Sequence, residues 1–443
     1  MCKFFVQKLA NSCVFDKKAV LLWPEMNKIV KDSAKLLSAN VVAQAIGLLV
    51  YPILTRLYSP DDFGLLNLFL SIGGIIVLFA TSEYHYAIVL PKKDSDGRAV
   101  FHVGLIILSF VTLLTLLSVP FASQIAALFK APSLAQWYWV MPIYVCLLGF
   151  WALLNYSYTR KNQYNYIGTY QVSQPLVNAA SKVGFGYAGF LSGGLIVSSV
   201  IGPFVAIVSS LCLSWRKGIA SFFTPSTRAE RKAVAREYAK FPAFSLPKSL
   251  VNVLSSNLPA FLLTPFFGLT ELGFFAMSIT LAYRPINMIC GSIYQVLYQR
   301  VADLVNQRQS IKSLLGGFIW KTLVVTVPCF AALYFALPWL TQFLLGDGWD
   351  TTATIIQLML AWLAMVLVTT TINFIPDVFG KQHGLLAFEV GYLIARIAGL
   401  YIGIIHHSFL LAIQLYVVAG VLFMVLELVW FLVLVFRYEK QLN

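Results

Sequence analysis

Residues 51–69 read "YPILTRLYSPDDFGLLNLF": an apolar run bearing Pro52 stops at Arg56, turns through Ser59-Pro60-Asp61-Asp62 and restarts at once as a second apolar run. The same pattern returns at 260–278, "AFLLTPFFGLTELGFFAMS", with Thr55/Thr264, Asp62/Glu271 and Gly64/Gly273 in register. A chain that breaks an apolar run the same way twice reads as two copies of one helix-turn-helix hairpin, one in each half of a duplicated sequence.

The surroundings of both copies fix the solvent. Of the 443 residues, 59% are hydrophobic and only 11% charged, against roughly 25% charged in a soluble domain. That is too little charge to cover a water-facing surface, so the chain reads as an integral membrane protein. A span takes about 20 apolar residues. Runs such as "GLIILSFVTLLTLLSV" (104–119) do not alternate as the strands of a membrane barrel would, so the spans are helical. The expected fold class is an all-α membrane protein of about twelve transmembrane helices in two pseudo-symmetric six-helix lobes.

Apolar windows between turn signals place the spans at 36–55, 64–90, 99–120, 137–159, 165–188 and 193–214, then at 241–265, 272–299, 314–345, 351–379, 384–405 and 409–436. The expected organisation is an interfacial N-terminal segment 1–33, an N-lobe 34–214, a linker 215–240 and a C-lobe 241–443. Met26 opens "MNKIVKDSAKLLSAN", which resembles a natural start, with 1–25 an extension. Loops and termini on one side hold 25 Lys and Arg, while those opposite hold two, Arg56 and Lys130. By the positive-inside rule both termini are then cytoplasmic. In the linker, "TRAERKAVAREYAK" reads as an amphipathic helix on an anionic leaflet or as a solvated connector. Because each lobe has an even number of spans, the repeat axis runs along the membrane normal, as in transporters that rock two bundles about a central site.

Five cations fall inside the spans: Lys182, Lys248, Arg284, Lys321 and Arg396. Each costs roughly 2.5–3.5 kcal/mol at a helix centre, so each needs a partner, water or a task. Arg284 and Arg396 are central in their spans, while Lys182, Lys248 and Lys321 lie close enough to an end for snorkelling to compete with a cavity role. Glu83, Glu389 and Glu427 are the embedded acids. Glu389 and Arg396 are two helical turns apart, about 10 Å, and share a face, so they can pair only through a neighbour. A carboxylate in low dielectric is a candidate proton carrier, and Glu83 and Glu389 are the candidates for coupling, with a hydrogen-bonded structural acid as the alternative for Glu83. Asn40, Gln44, Gln174, Asn178, Asn252, Asn257 and Asn287 mark helices expected to line a wet cavity, with prolines permitting bends. Cations in such a cavity suit an anion, and Arg grips phosphate oxygens in pairs.

"LLSANVVAQAIGLLVYPILTRLYSPDDFGLLNLFLSI" followed by "YHYAIVLPKKDSDG" resembles the opening of bacterial polysaccharide flippases of the Wzx type, within the multidrug/oligosaccharidyl-lipid/polysaccharide exporter superfamily. The turn "LTRLYSPDDFG" and the segment "AIVLPKKD" carry the likeness, which covers roughly 26–100 well. It implies a V-shaped, two-lobed inner-membrane protein that moves an undecaprenyl-pyrophosphate-linked oligosaccharide between leaflets. The implied partners are that lipid-linked glycan, membrane lipids, and a polymerase and chain-length regulator of the same pathway. No cofactor is expected beyond a coupling H+ or Na+. Arg284, Lys248 and Lys182, with Arg396 and Lys321, are the candidate anion clamp.

Two other classes compete. A multidrug antiporter of the same superfamily would carry organic cations in an acidic, aromatic cavity. A membrane glycosyltransferase or polymerase would need a catalytic site, and the loops offer only "DSD" (94–96) in a short turn. The chain is therefore read as no enzyme. Its +14 formal charge lies in loops rather than in a nucleic-acid-binding patch. The six cysteines include no CxxC pair, His406 and His407 read as a solvated pair, and "DGWD" (347–350) reads as a solvated acidic turn; no metal site is expected.

Overall fold

The computed structural model describes residues 44–215 and 218–442. Asn40 and the expected segment 1–33 lie outside them. Twelve long helices follow in order. They are α1 (Gln44–Leu57), α2 (Pro60–Thr81), α3 (Asp94–Leu117), α4 (Met141–Arg160), α5 (Tyr164–Tyr187) and α6 (Leu191–Ser214). Then come α7 (Leu246–Phe267), α8, α9 (Lys312–Leu345), α10 (Asp350–Ile372), α11 (Gln382–Ile405) and α12 (Phe409–Leu442). Helix α8 has three parts: Leu269–Ser278, a π-helical turn Ile279–Tyr283, and Arg284–Asn306. Among the described residues nine helices are long and apolar enough to cross a membrane. The protein is a multi-pass, all-α membrane protein. Helices α1, α5 and α8 are not among the nine: α1 is the shorter apolar helix Gln44–Leu57, α5 carries Gln171, Gln174, Asn178 and Lys182, and α8 carries Arg284, Asn287 and Gln295.

The repeated break is a helix start. Ser59 caps α2 by accepting a hydrogen bond from the Asp62 amide, the Asp62 carboxylate accepts one from the Ser59 amide at 2.9 Å, and Pro60 opens the helix. This reciprocal pairing satisfies two amides that the first turn would leave bare. The second copy reaches the same point differently: Gly268, at φ +96, turns the chain from α7 into α8.

Those two helix starts cross backbone to backbone. A Cβ on Gly64 would overlap the Leu269 carbonyl oxygen, and a Cβ on Gly273 would overlap that of Pro60. Beside them Thr270 Oγ1 donates to Asp61 Oδ1 at 3.3 Å, between residues separated by 209, the spacing of the repeat itself. Under the repeat the two glycine contacts exchange and the Asp61–Thr270 pair maps onto itself, the mark of a two-fold relation. Small residues allow such an approach between membrane helices, where packing rather than water expulsion drives association.

Around the crossing the largest apolar core, built from α2 to α6, reaches into the second half at Ala260, Leu269, Leu272, Met277, Leu345 and Trp349. Trp349, 1% exposed, wedges between Phe63 at 5.6 Å and Phe274 at 6.0 Å, and its indole N–H donates to the Thr55 carbonyl at 3.3 Å. Arg56 donates to the carbonyls of Phe343 at 3.0 Å and Leu344 at 3.3 Å, capping the C-terminal end of α9, and also to that of Pro52. A cation at a helix C-terminus is favoured by the helix dipole. The turn read as solvated does expose Asp347 and Asp350, but its tryptophan is the wedge of this joint.

At the opposite end, Arg160 is 8% exposed in its side chain and gathers the "AIVLPKKD" segment. It donates to the carbonyls of Ile88 at 2.9 Å, Pro91 at 2.8 Å and Lys93 at 3.0 Å, and pairs with Asp94 at 3.1 Å. Lys161 pairs with the same Asp94 at 2.7 Å. The linker holds a helix, Arg228–Glu237, started by a Thr227/Glu230 capping box; the Thr227 amide bonded to Glu230 holds that carboxyl below its ordinary range. It packs on the first half through buried Val234, and the Tyr84 hydroxyl donates to the Ala235 carbonyl at 2.9 Å.

Replacing Asp61 and Thr270 together by cysteine is expected to give an intramolecular disulfide on mild oxidation, detected by mass spectrometry of the digested protein. Absence of that bridge in folded protein would contradict the crossing. Gly273→Leu, which must push two backbones apart, is expected to cost about 1–3 kcal/mol, read as a lower unfolding temperature in detergent.

Candidate functional site: a polar cavity in the second half

A cavity of about 420 Å³ lies among α7, α8, α10, α11 and α12, with Asn67 and Ser71 of α2 on its wall. Its volume falls in the range of about 300–1,000 Å³ usual for ligand sites. Of the residues singled out above, it takes Arg284, Arg396, Glu389, Asn252 and Asn257. Its charged lining is Arg284, Arg396, Glu389 and Glu427, two of each sign, so it is not the mainly cationic chamber expected from the sequence.

Arg284 follows directly on the π-helical turn of α8. Such single turns shift the helix face and recur at functional sites. Arg284, which is exposed, lies within electrostatic reach of Lys182 on α5 and of Tyr51 on α1, both in the first half. The Lys182 carbonyl is held by the Tyr58 hydroxyl at 2.6 Å. Among the described residues the ion pairs are those of Asp94 with Arg160 and Lys161, and no acid pairs with Arg284 or Lys182.

Arg396 has a different setting. Its guanidinium stands over the ring of Tyr392 at 4.9 Å and that of Tyr416 at 4.2 Å. Cation–π contacts of this kind are worth about 0.5–2 kcal/mol each, more where water is excluded. Glu389 is within electrostatic reach of it, with Tyr392 between them on the same face of α11, and Glu427 of α12 is within reach of Glu389. Tyr283 and Trp362 stack at 5.2 Å and 7°. Two buried donors, Arg396 Nε and Trp362 Nε1, have no hydrogen-bond partner among the described residues.

The other candidates lie elsewhere. Lys248 and Lys321 are exposed on α7 and α9, Gln44 and Asn287 are exposed on α1 and α8, and none of them lines the cavity. Gln174 and Asn178 pack against Gly202 of α6, where a Cβ would come within 2.9 Å of the Asn178 Cβ and the Gln174 carbonyl. Glu83 is 2% exposed, outside the cavity, where Ser82 and Glu83 both take positive φ after α2. It is turned toward Ser249 of α7, and its Oε2 has no partner among the described residues.

The aromatic group and Glu427 were not singled out as a site in the sequence. The signal present was the spacing Glu389, Tyr392, Arg396, which puts three polar side chains on one helix face.

The family model described as "Polysaccharide biosynthesis protein" matches residues 53–354. The structure is similar to that of a multidrug resistance MATE family transporter of the MOP superfamily in an inward-facing conformation. That match has a TM-score of 0.67 at 15% identity and covers 90% of this chain and 96% of that one. It is also similar to the lipid II flippase MurJ in an inward closed conformation, TM-score 0.67 at 13% identity, over 93% of this chain and 91% of that one. Both likenesses are likenesses of fold. Comparison of the sequence with curated proteins finds no match.

Tyr416→Leu is expected to lower stability by roughly 1–2 kcal/mol through loss of its face on Arg396, whereas Tyr416→Phe retains most of it; thermal unfolding of both variants in detergent compares them.

Proposed function

The chain belongs to the polysaccharide biosynthesis protein family, and from that premise we propose that it is a flippase for undecaprenyl-pyrophosphate-linked oligosaccharide. It would carry repeat units from the cytoplasmic to the periplasmic leaflet of the bacterial inner membrane, for O-antigen, capsule or exopolysaccharide assembly. Both termini are then cytoplasmic, and the polymerase and chain-length regulator of the pathway are its expected neighbours. It transports and is not an enzyme.

The observation that supports this reading best is that Arg284 and Lys182, from the two halves, lie within electrostatic reach of each other while neither forms an ion pair with an acid among the described residues. Two cations held near each other repel unless an anion joins them, and a diphosphate supplies oxygens for both. Lys248 and Lys321, exposed on their helices, would meet the anion as it enters or meet lipid headgroups. The polyprenyl tail stays in the bilayer.

Alternating access then follows from the joint at Gly64 and Gly273. With that end shut, substrate enters from the other; release opposite requires the crossing, the Trp349 wedge and the Arg56 cap to part. A proton or Na+ gradient, or the membrane potential, would drive the cycle. We place coupling at Glu83 in preference to Glu389, since Glu83 is buried at the seam with one free oxygen while Glu389 lines the substrate cavity.

A second reading, a multidrug antiporter for organic cations, draws on Glu389, Glu427 and the aromatic rings of the cavity. It leaves Arg284 and Lys182 without a task, and ethidium efflux from cells expressing the protein separates the two.

Arg284→Ala is expected to cut glycan export about 10- to 100-fold, the worth of a charge-assisted contact, with membrane insertion unchanged, measured by complementation of a flippase-null strain. Full complementation by a correctly inserted variant removes the clamp role. Glu83→Gln is expected to abolish the dependence of transport on an imposed ion gradient in vesicles, while substrate binding persists.

A further inference from the structure

Arg284 lines the cavity, but it is exposed and makes no hydrogen bond or ion pair among the described residues. Its direction is therefore set by the backbone that carries it. That backbone is irregular at this point. Ile279–Tyr283 form the π-helical turn of α8, and the Arg284 amide donates to the Ile279 carbonyl, five residues back. A turn that closes one residue late rotates all that follows by about 100° against an unbroken α-helix. Were the turn to relax to α-helical pairing, Arg284 would lose its present direction.

Side chains on the approach to the turn favour its distortion. Ser278 Oγ donates to the Phe274 carbonyl and Thr280 Oγ1 to the Ala276 carbonyl, each at 2.8 Å. Hydroxyls that bond four residues back compete with the backbone ladder and bend a helix. Thr280 is buried, and its oxygen, having given its proton to Ala276, has lone pairs to offer. The group that reaches for them comes from the other half of the molecule. Tyr51 of α1 lies within hydrogen-bonding reach of the Thr280 side chain and within electrostatic reach of Arg284. Its ring stands 6.1 Å from that of Phe63, which stands 5.6 Å from Trp349. One run of aromatic contacts thus leads from the wedge of the joint to the π-helical turn.

We propose that Tyr51 is a positioning residue: its hydroxyl, bonded to Thr280, pins the π-helical turn and so aims Arg284 into the cavity. Tyr51 itself does not line the cavity; it acts through the turn. Because it belongs to the first half and the turn to the second, the aim of Arg284 follows the state of the joint. When the halves part at Phe63 and Trp349, Thr280 loses its partner and the turn is released. The inference rests on the flippase reading for the anion that Arg284 meets, and adds to it the means by which the seam sets the grip.

Two measurements on the full-length protein in nanodiscs test this. The first needs no ligand: hydrogen exchange read by mass spectrometry over the backbone amides of 279–284. Tyr51→Phe, which deletes only the hydroxyl, is expected to speed exchange there about 3- to 10-fold, as is Thr280→Val, with exchange over 60–64 unchanged. Thr280→Ser, which keeps the acceptor, is expected to match the wild type. The second is titration with undecaprenyl diphosphate, followed by thermophoresis. Tyr51→Phe is expected to weaken binding about 3- to 10-fold, but to add less than about twofold in an Arg284→Ala background, because the two act as one unit. Unchanged exchange over the turn in Tyr51→Phe overturns the proposal. So does wild-type affinity in that variant, or an equal loss of affinity with and without Arg284. If the wild type does not bind the lipid, the flippase reading falls, and the exchange measurement alone decides whether Tyr51 holds the turn. Should Tyr51→Phe fail to fold, Thr280→Val set against Thr280→Ser decides both measurements.

Discussion

Everything in this protein is arranged around two backbones that touch. Side chains normally hold helix axes 8–10 Å apart; at Gly64 and Gly273 nothing intervenes, and each glycine lies against a carbonyl of the other helix. The contact is made by residues equivalent under the internal repeat, so one ancestral hairpin start, copied once, suffices to build it. The flanking features differ between copies because they need not be symmetric. A serine cap starts one helix and a left-handed glycine the other, and only one side supplies a tryptophan wedge. What must be shared is the absence of Cβ and the polar pair beside it.

That joint also organises charge. By bringing α2 and α8 together at one end, it sets the start of the α8 π-turn over the seam and Arg284 toward the first half. The deeper charges belong to α11 and α12, whose partners lie within the second half. The cavity is therefore lined by Arg284 on the helix that crosses the joint, and by Glu389, Arg396 and Glu427 on helices that pack within the second half.

Much of the architecture was legible in the sequence because membrane helices announce themselves by apolar length, and because loop basicity kept the span count consistent. The joint was legible as a repeat, since Thr55/Thr264 and Gly64/Gly273 stand in register. What could not be read was which way a side chain points. In a helix that is apolar all round there is little amphipathic stripe to give its rotation, so Lys321 and Arg284 look alike until neighbours are placed. Position along the helix was more informative. The two arginines central in their spans line the cavity, whereas Lys248 and Lys321, nearer an end, do not. Trp349 was hidden inside an acidic turn, and Glu427, legible as an embedded acid, gave no sign of which cavity it would line. Arg160 was counted only as one more cytoplasmic charge.

Arg160 has a consequence for how the chain is made. The carbonyls of Ile88, Pro91 and Lys93 emerge from the ribosome before the arginine that satisfies them, and Asp94 precedes it by 66 residues. Until α4 has been threaded into the bilayer, the hairpin of α2 and α3 ends in a knot of unanswered acceptors at the membrane surface. The first three helices are thus an unfinished unit during synthesis, closed only when the fourth delivers its last residue.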